Sequence, residues 1–132
     1  MIGYQDIRID TDPTEGVAGQ VLPHPIRVAL YAPDPVKFTA SYYATAALIN
    51  ARNREVNDLL QGTRRIDGDS RLEGAYVYFQ FPDLAIKDEG KYAIRVDIFE
   101  APGVFPANTN PTYFGSIHSS HLDIKKARTA RR

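Results

Sequence analysis

The 132-residue chain balances 16 basic against 16 acidic side chains, so no global charge attracts it to nucleic acid or to a membrane surface. It contains no cysteine, which excludes disulfide bonds and thiolate chemistry and is compatible with a reducing compartment. Its length fits one ordinary domain, and no apolar run approaches the roughly 20 residues that a membrane-spanning helix needs. The first six residues lack the features of a signal peptide, and we expect an intracellular protein with no membrane partner.

Alternating apolar and polar residues predict short β-strands along most of the chain. The alternation is clearest in 92–98, where Tyr92, Ile94 and Val96 alternate with charged and small residues. Prolines and glycines lie between the strands, so the sequence predicts an all-β, immunoglobulin-like β-sandwich of about seven strands rather than a parallel α/β fold. In chain order, the predicted strands cover residues 5–9, 25–31, 37–48, 75–81, 92–98, 113–118 and 122–124.

The segments between these strands differ in composition. Residues 10–19 (DTDPTEGVAG) are rich in turn formers and predict an exposed loop. Helix propensity in 49–60 favours one short helix or an irregular crossover, which Gly62 would end. A tight turn is predicted at 67–69 (DGD), and the three prolines of 101–111 predict a long loop.

A tyrosine at the start of a late strand supports the sandwich. Asp88, Glu89 and Gly90 form a turn just before Tyr92, and a regular strand follows. In immunoglobulin-like sandwiches a tyrosine at this position turns its hydroxyl back to the backbone at the sheet corner. Burial of its large ring is favourable only when the hydroxyl finds such a partner. We therefore predict a tyrosine corner at Tyr92.

Charge is distributed unevenly along the chain. The last eight residues contain five of the 16 basic side chains and no acidic one, so the other 124 residues have a net charge of −5. A basic tail on an acidic body is typical of local contact with a polyanion, although a solvated terminus has the same composition. Arginines in the connections offer a planar fork that suits phosphate and guanine. The predicted DNA-binding residues are Lys125, Lys126, Arg128, Arg131, Arg132, Arg64 and Arg65.

Tyrosines on the predicted outer faces are candidates for partner contact. Tyr76 and Tyr78 are two residues apart on one face of their strand, which suits a dimer interface. The same pair, with Tyr42 and Tyr43, would also suit a carbohydrate-binding sandwich that stacks sugars on tyrosine rings. The absence of tryptophan argues against the carbohydrate hypothesis.

Catalytic and metal chemistry find little support. His118, His121 and Asp123 are close in sequence, but strand geometry turns 118 and 121 to opposite faces, so we predict no metal site. No nucleophile elbow and no glycine-rich phosphate loop is present. We expect a protein without catalytic residues, cofactor or small-molecule substrate, which is not an enzyme.

The run 74–96 (GAYVYFQFPDLAIKDEGKYAIRV) resembles the velvet family of fungal regulators. In that family an aromatic strand ends in Phe-x-Phe-Pro-Asp-Leu, and a short step then leads to Glu-Gly, an aromatic residue and an alternating strand. The residues that fill these positions are Phe79, Phe81, Pro82, Asp83, Leu84, Glu89, Gly90 and Tyr92. Segments 60–63, 23–30 and 119–126 also resemble the family, the last through its paired lysines. The family's Cys-Gly, its basic cluster near the first strand and its closing Phe-Pro-Gly are absent.

The resemblance implies a Rel-type β-sandwich in residues 1–124, followed by a basic tail in 125–132. It implies homodimers, or heterodimers with another velvet-type protein, that bind promoter DNA through basic loops. It further implies localisation in nucleus and cytoplasm and regulation of fungal development. Lys125 and Lys126 are the residues that match the family's basic positions best. Because the basic cluster near the first strand is missing, the alternative is a protein-interaction subunit of the same fold without DNA binding of its own.

Overall fold

A computed structural model describes residues 7–31, 42–68, 76–100 and 112–127. Regular structure in these residues consists of eleven β-strands and a single 3₁₀ turn at Asn57–Leu59, without an α-helix, so the all-β prediction is confirmed. No helix of this part of the chain has the length and apolar character required to cross a membrane. The strands are β1 (Ile7–Thr11), β2 (Glu15–Val17), β3 (Ile26–Tyr31), β4 (Tyr42–Asn50), β5 (Leu60–Gln61), β6 (Arg65–Asp67), β7 (Tyr76–Phe81), β8 (Ala85–Ile86), β9 (Gly90–Glu100), β10 (Thr112–His118) and β11 (Leu122–Lys125).

One sheet has three antiparallel strands in the order β1-β3-β7. Its register aligns Val28 with Ile9 on one side and with Phe79 on the other. Because side chains alternate between the faces of a strand, this register places the apolar residues of all three strands on one side. The opposite side carries the polar and aromatic series, which is described below.

The larger sheet is organised around β9, which has eleven residues. β4 pairs with β9 from Tyr42 to Asn50, and the sheet order is β2-β11-β9-β4-β6. On its other edge, β9 pairs first with β11 and then with β10. β2 adds to β11 in parallel orientation and aligns Gly16 with Ile124, so segments more than one hundred residues apart in sequence are neighbours.

The hydrophobic core lies between these two sheets. Phe79 and Phe81 of the first sheet and Ile94 and Val96 of the second are almost fully buried in one cluster. Each large apolar side chain buried in this way contributes roughly 1.5–3 kcal/mol. The two sheets approach closely where Gly115 of β10 meets β1, since a Cβ there would lie 2.8 Å from the Ile7 side chain. A pair of sheets around a common core is consistent with a β-sandwich.

The seven predicted strands correspond to the seven strands with four or more residues in the described part of the chain. The four short strands, β2, β5, β6 and β8, were not predicted. The exposed-loop prediction for 10–19 is wrong in part, because β2 lies within this segment and pairs with β11. Several predicted residues lie outside the described part of the chain, namely residues 5 and 6, residues 37–41 and 75 of two predicted strands, residue 69 of the predicted turn and the loop 101–111.

Of the two alternatives predicted for 49–60, the structure has the irregular crossover and not the helix. β4 continues to Asn50, and an irregular crossover follows that contains only the 3₁₀ turn at Asn57–Leu59. The Asn50 side chain accepts hydrogen bonds from the backbone N–H groups of Arg52 and Arg54, at 2.9 and 3.0 Å. Asn53 adopts a left-handed conformation with a φ of 62°. These local bonds offer the backbone an alternative to a helix, which helix propensity alone does not anticipate.

Candidate binding surface

Segment 60–63 and the run 74–96, which both resemble the velvet family, meet in one contact. We call this contact the clamp, and it consists of Gly62, Thr63 and Asp83. The Asp83 carboxylate accepts hydrogen bonds from the Thr63 N–H and from the Thr63 hydroxyl, both at 2.9 Å. The hydrogen bond from the Thr63 N–H lowers the pKa of Asp83 below its ordinary value, and the bond from the Thr63 hydroxyl makes the second-largest contribution. Gly62 has a φ of 105°, and a Cβ there would lie 2.3 Å from the Asp83 carbonyl oxygen. The clamp therefore requires glycine at this position.

Tyr92 forms the predicted tyrosine corner. Its hydroxyl lies 3.1 Å from the carbonyl oxygen of Asp88 and 3.2 Å from that of Glu89, and it donates its one proton to this pair. Burial raises the pKa of Tyr92, and the negative charges of Asp88 and Glu89 raise it further. A protonated hydroxyl is the form that a carbonyl pair needs, so the corner prediction is confirmed.

The velvet-like residues thus have structural roles in the described part of the chain. Phe79, Phe81 and Leu84 are each at most 1% exposed in the core. Together with the clamp and the corner, they fix how the turn between β7 and β9 packs. The charged members of the signature, Asp83 and Glu89, are exposed but negative, so this signature is informative about fold rather than about DNA.

The predicted basic residues are exposed but already have contacts of their own. Lys125 is the last residue of β11, and its Nζ lies 3.8 Å from a carboxylate oxygen of Glu15. Arg64 donates to the carbonyl oxygen of Asn57 at 3.0 Å, and the Arg65 guanidinium lies 4.1 Å from the ring centre of Tyr43. Lys126 is exposed, whereas Arg128, Arg131 and Arg132 lie outside the described residues.

The structure does not bring Lys125 and Arg65 together. β11 and β6 are separated by β9 and β4, which corresponds to about 14 Å across the sheet. Along β9, Lys125 lies beyond the level of Gly90, whereas Arg65 is at the level of Asp97, about 23 Å further on. One compact basic patch therefore does not form from these residues.

A different surface gathers aromatic and charged side chains. The outer side of the three-stranded sheet carries Tyr76 and Tyr78 of β7, and β1 and β3 contribute the remaining members. We call this surface the Tyr–Arg face. Its members are Arg8, Asp10, Arg27, Ala29, Tyr31, Tyr76, Tyr78 and Gln80.

The tyrosines of the Tyr–Arg face form a continuous strip. The ring centres of Tyr31 and Tyr76 are 5.4 Å apart, and those of Tyr76 and Tyr78 are 6.1 Å apart. The Arg8 guanidinium lies 4.7 Å from the ring centre of Tyr76, and that of Arg27 lies 4.1 Å from the ring centre of Tyr78. Each cation–π contact at such an exposed site stabilises the arrangement by about 0.5–1 kcal/mol. The tyrosine pair predicted from sequence therefore belongs to a larger Tyr–Arg surface.

Asp10 and Ala29 explain the position of the two guanidinium groups over the tyrosine rings. The Nε atoms of Arg8 and Arg27 face the same Asp10 carboxylate, at 3.1 and 3.7 Å. Ala29 points to the same side of the sheet, yet its exposure is 0% because the surrounding side chains cover it. A small side chain there leaves room for both guanidinium groups to rest on the tyrosine rings.

The other tyrosines lie on the larger sheet. Tyr43 stacks on Phe99 with ring centres 5.2 Å apart, and Phe99 contacts Tyr113 edge-on. Tyr42 packs against the core, where burial raises its pKa and the charge of Glu100 raises it further. Tyr42 and Tyr43 therefore do not form one sugar-stacking platform with Tyr76 and Tyr78, and the carbohydrate hypothesis loses half of its proposed surface.

The histidines flank a shallow pocket of about 690 Å³ at one end of the larger sheet. His118, His121 and Asp123 line it together with Lys91 and Asn53. A bend between β10 and β11 brings both histidines to the same pocket, although strand alternation alone separates them. No group of three side chains able to hold a metal ion is found among residues 7–31, 42–68, 76–100 and 112–127.

Sequence reasoning missed Arg8, Asp10, Arg27 and Tyr31 as members of a site. The alternation of β3 does place Arg27 and Tyr31 opposite its apolar residues, which was the available signal. Their proximity to Tyr76 and Tyr78 depends on the pairing of β3 with β7, which a single sequence does not specify.

Comparison with known proteins gives no family for this chain, since no protein-family model matches it and no curated protein matches it significantly. The velvet resemblance therefore stays a prediction.

Proposed function

We propose that this chain is an immunoglobulin-like, non-catalytic binding module whose Tyr–Arg face binds a protein partner. The observation that carries the proposal is the strip of three tyrosines with two arginines stacked on it. Tyrosine and arginine are the residue types that, with tryptophan, are most enriched among the energetically dominant residues of protein interfaces.

The immunoglobulin-like part of the proposal is supported by strand order. β1-β3-β7 corresponds to the A-B-E order of an immunoglobulin sheet, and β6-β4-β9-β10 corresponds to C′-C-F-G of the facing sheet. Tyr92 then opens the strand equivalent to F, where the tyrosine corner of such domains lies. Domains of this architecture commonly act through the surfaces of their sheets and the loops at their ends.

The side chains of the Tyr–Arg face are held in place before a partner arrives. Each guanidinium group contacts a tyrosine ring on one side and approaches Asp10 through its Nε. A surface that is ordered in advance loses less conformational entropy when it binds. Tyr31 is nevertheless 40% exposed, so the strip remains available for contact.

A selection from a displayed library of random peptides would test this function. We expect peptides that bind the wild-type chain and lose binding to the Tyr76→Ser/Tyr78→Ser double variant. The matched control is Tyr113→Ser, which removes a tyrosine that is 56% exposed on the other sheet and should leave binding unchanged. Peptides that bind the double variant as tightly as the wild type, or the absence of any selected peptide, would contradict the proposal.

DNA binding by a velvet-like, dimeric regulator is the second candidate. Its support is the charge of the last eight residues together with the exposure of Lys125, whose side chain is 65% exposed and has one distant ion pair. Phosphate contacts make such binding strongly dependent on salt. Fluorescence anisotropy with a labelled duplex at low and moderate salt should show binding that weakens with salt and with Lys125→Gln/Lys126→Gln. The absence of binding even at low salt would contradict the proposed DNA binding.

A further inference from the structure

We infer that the partner of the Tyr–Arg face is an extended, acidic peptide segment of another protein, an inference that rests on the binding role proposed above. Three properties of the face lead to this chemistry, namely its local charge, the orientation of its guanidinium groups and its size.

The first property is a local charge opposite to that of the surrounding chain. The Tyr–Arg face contains two arginines and one aspartate, so its net charge is +1, whereas residues 1–124 together have a net charge of −5. A cationic patch on an acidic body attracts anionic groups at short range and discriminates against basic ones. The complementary surface therefore carries carboxylates.

The second property is the direction in which the arginines offer their donors. Asp10 lies beside the Nε atom of both groups, and each guanidinium carbon lies over a tyrosine ring. The described residues provide no hydrogen-bond acceptor for the terminal nitrogens of Arg8 or Arg27. Two parallel N–H groups at the end of a fixed guanidinium form the fork that a carboxylate binds in bidentate fashion. Two such forks flank one carboxylate, so a ligand with two spaced acidic side chains fits both.

The third property is the size of the face. Three strands are about 14 Å wide, and the six residues of β7 are about 20 Å long, which gives an area of roughly 300 Å². A stable interface between two globular proteins buries about 800 Å² on each partner. A single extended segment of about six residues matches the length of the face, and its apolar side chains would pack on the tyrosine strip.

A second copy of the chain fits this surface poorly. Two Tyr–Arg faces in contact would oppose four arginines to two aspartates, and the excess positive charge would disfavour the pair. Single-stranded nucleic acid also stacks on tyrosines, but the charge of −5 on the body of the chain opposes a long polyanion more than a short peptide.

Fluorescence anisotropy with defined probes would test the inference. The probe is a labelled peptide of about six residues that alternates glutamate and valine, and the matched peptides carry glutamine or lysine in place of glutamate. We expect the glutamate peptide alone to bind, and its affinity to fall by about tenfold or more in Arg8→Gln/Arg27→Gln. Arg8→Lys/Arg27→Lys keeps the charge but removes the fork, so it should retain only part of the affinity.

The controls separate this inference from the proposed function. Circular dichroism should show that the arginine variants remain folded, with a melting temperature lowered by only a few degrees, because the substitutions remove only exposed contacts. Equal binding of the glutamine peptide, tighter binding of a single-stranded oligonucleotide, or self-association that Arg8→Gln/Arg27→Gln abolishes would each overturn the inference. If the library selection yields neutral or basic peptides that depend on Tyr76 and Tyr78, the proposed binding function is supported and the inference of an acidic partner is contradicted. If no peptide depends on these tyrosines, the proposed function and the inference are both contradicted.

Discussion

The velvet-like signature and the Tyr–Arg face share strand β7 but differ in their relation to solvent. Along β7, Phe79 and Phe81 point into the core, whereas Tyr76 and Tyr78 point to the outer side of the same strand. The signature continues into the clamp and the corner, whose polar atoms are satisfied within the chain. On the Tyr–Arg face, the guanidinium ends and the Tyr31 ring remain available to a ligand.

This difference teaches that a recognisable sequence motif and a binding surface need not coincide. The motif is recognisable because packing and hydrogen bonding restrict the residue type at each of its positions. The Tyr–Arg face is built from two or three residues of each of three strands, which no contiguous motif records. Substitutions should therefore separate the two regions, with large effects on stability in the signature and small ones on the face.

The largest effect is expected for Phe81→Ala. Phe81 is 1% exposed, and loss of its ring leaves a cavity, so we expect the free energy of unfolding to fall by about 3–5 kcal/mol. Denaturant titration followed by circular dichroism measures this value. Tyr113→Ala is the matched truncation of an exposed ring and should cost less than about 1 kcal/mol. Equal losses would show that burial does not distinguish these positions.

The next effect concerns the clamp. Gly62→Ala places a Cβ against the Asp83 carbonyl oxygen and forces a left-handed backbone on alanine, so we expect a loss of about 1–3 kcal/mol. Gly19→Ala is the control, because Gly19 also has a positive φ of 81° but has open space around it. A loss at Gly19 that equals the loss at Gly62 would mean that the close approach to Asp83 has no energetic weight.

Removal of the corner hydroxyl should have a smaller effect. Tyr92→Phe keeps the buried ring and leaves the Asp88 and Glu89 carbonyl groups without their donor, which should cost about 1 kcal/mol at neutral pH. Since the pKa of Tyr92 is raised in the folded protein, its contribution is fully present below the unfolded value of about 10. It is lost as pH rises through the folded value. Thermal unfolding of both proteins across alkaline pH measures this, and a difference that grows with pH would contradict it.

Asp83→Asn should reduce stability by less than about 1 kcal/mol, because the carboxylate is exposed to water. The pKa of Asp83 is lowered in the folded protein, so its contribution is present above the unfolded value of about 3.9. That contribution disappears as pH falls through the lower folded value. Stability curves of wild type and variant should therefore converge in acid. Asp88→Asn, whose side chain makes no hydrogen bond within the described residues, is the matched control and should lose less stability than Asp83→Asn at neutral pH.

The smallest stability effect is expected on the Tyr–Arg face. Arg27→Gln removes one exposed cation–π contact and one long ion pair, which together amount to about 0.5 kcal/mol. The same substitution should weaken peptide binding, so stability and binding are separable at this position. If Arg27→Gln unfolded at the same denaturant concentration as Phe81→Ala, the predicted difference in stability between the two regions would be contradicted.

The sequence predicts the fold of this chain better than it predicts the site. Alternation identifies each strand of four or more residues because burial on one face imposes a period of two. Strands of two or three residues, such as β5 and β8, contain too few residues to establish a period. The helix expected in 49–60 fails for a related reason. Propensity counts residue types, whereas the bonds from Asn50 and the pairing with β9 determine the backbone.

The site was found in part. Tyr76 and Tyr78 share a face by alternation alone, so local sequence is sufficient to identify the pair. Arg8 and Arg27 reach their rings only because β1 and β3 align beside β7 in one register. Lys125 and Arg65 were both selected by charge but lie far apart in the fold, because charge composition carries no information about distance.

The parallel pairing of β2 with β11 also has a consequence for how the protein folds. Gly16 lies beside Ile124, and the N–H of Asp123 donates to the carbonyl oxygen of Thr14 at 3.0 Å. These contacts enclose more than one hundred residues, so the chain entropy of a very long loop must be overcome before they form. High contact order of this kind slows folding to milliseconds or seconds in all-β domains. The edge of the larger sheet therefore closes late in folding, after pairings between strands that are nearer in sequence, such as β9 with β10.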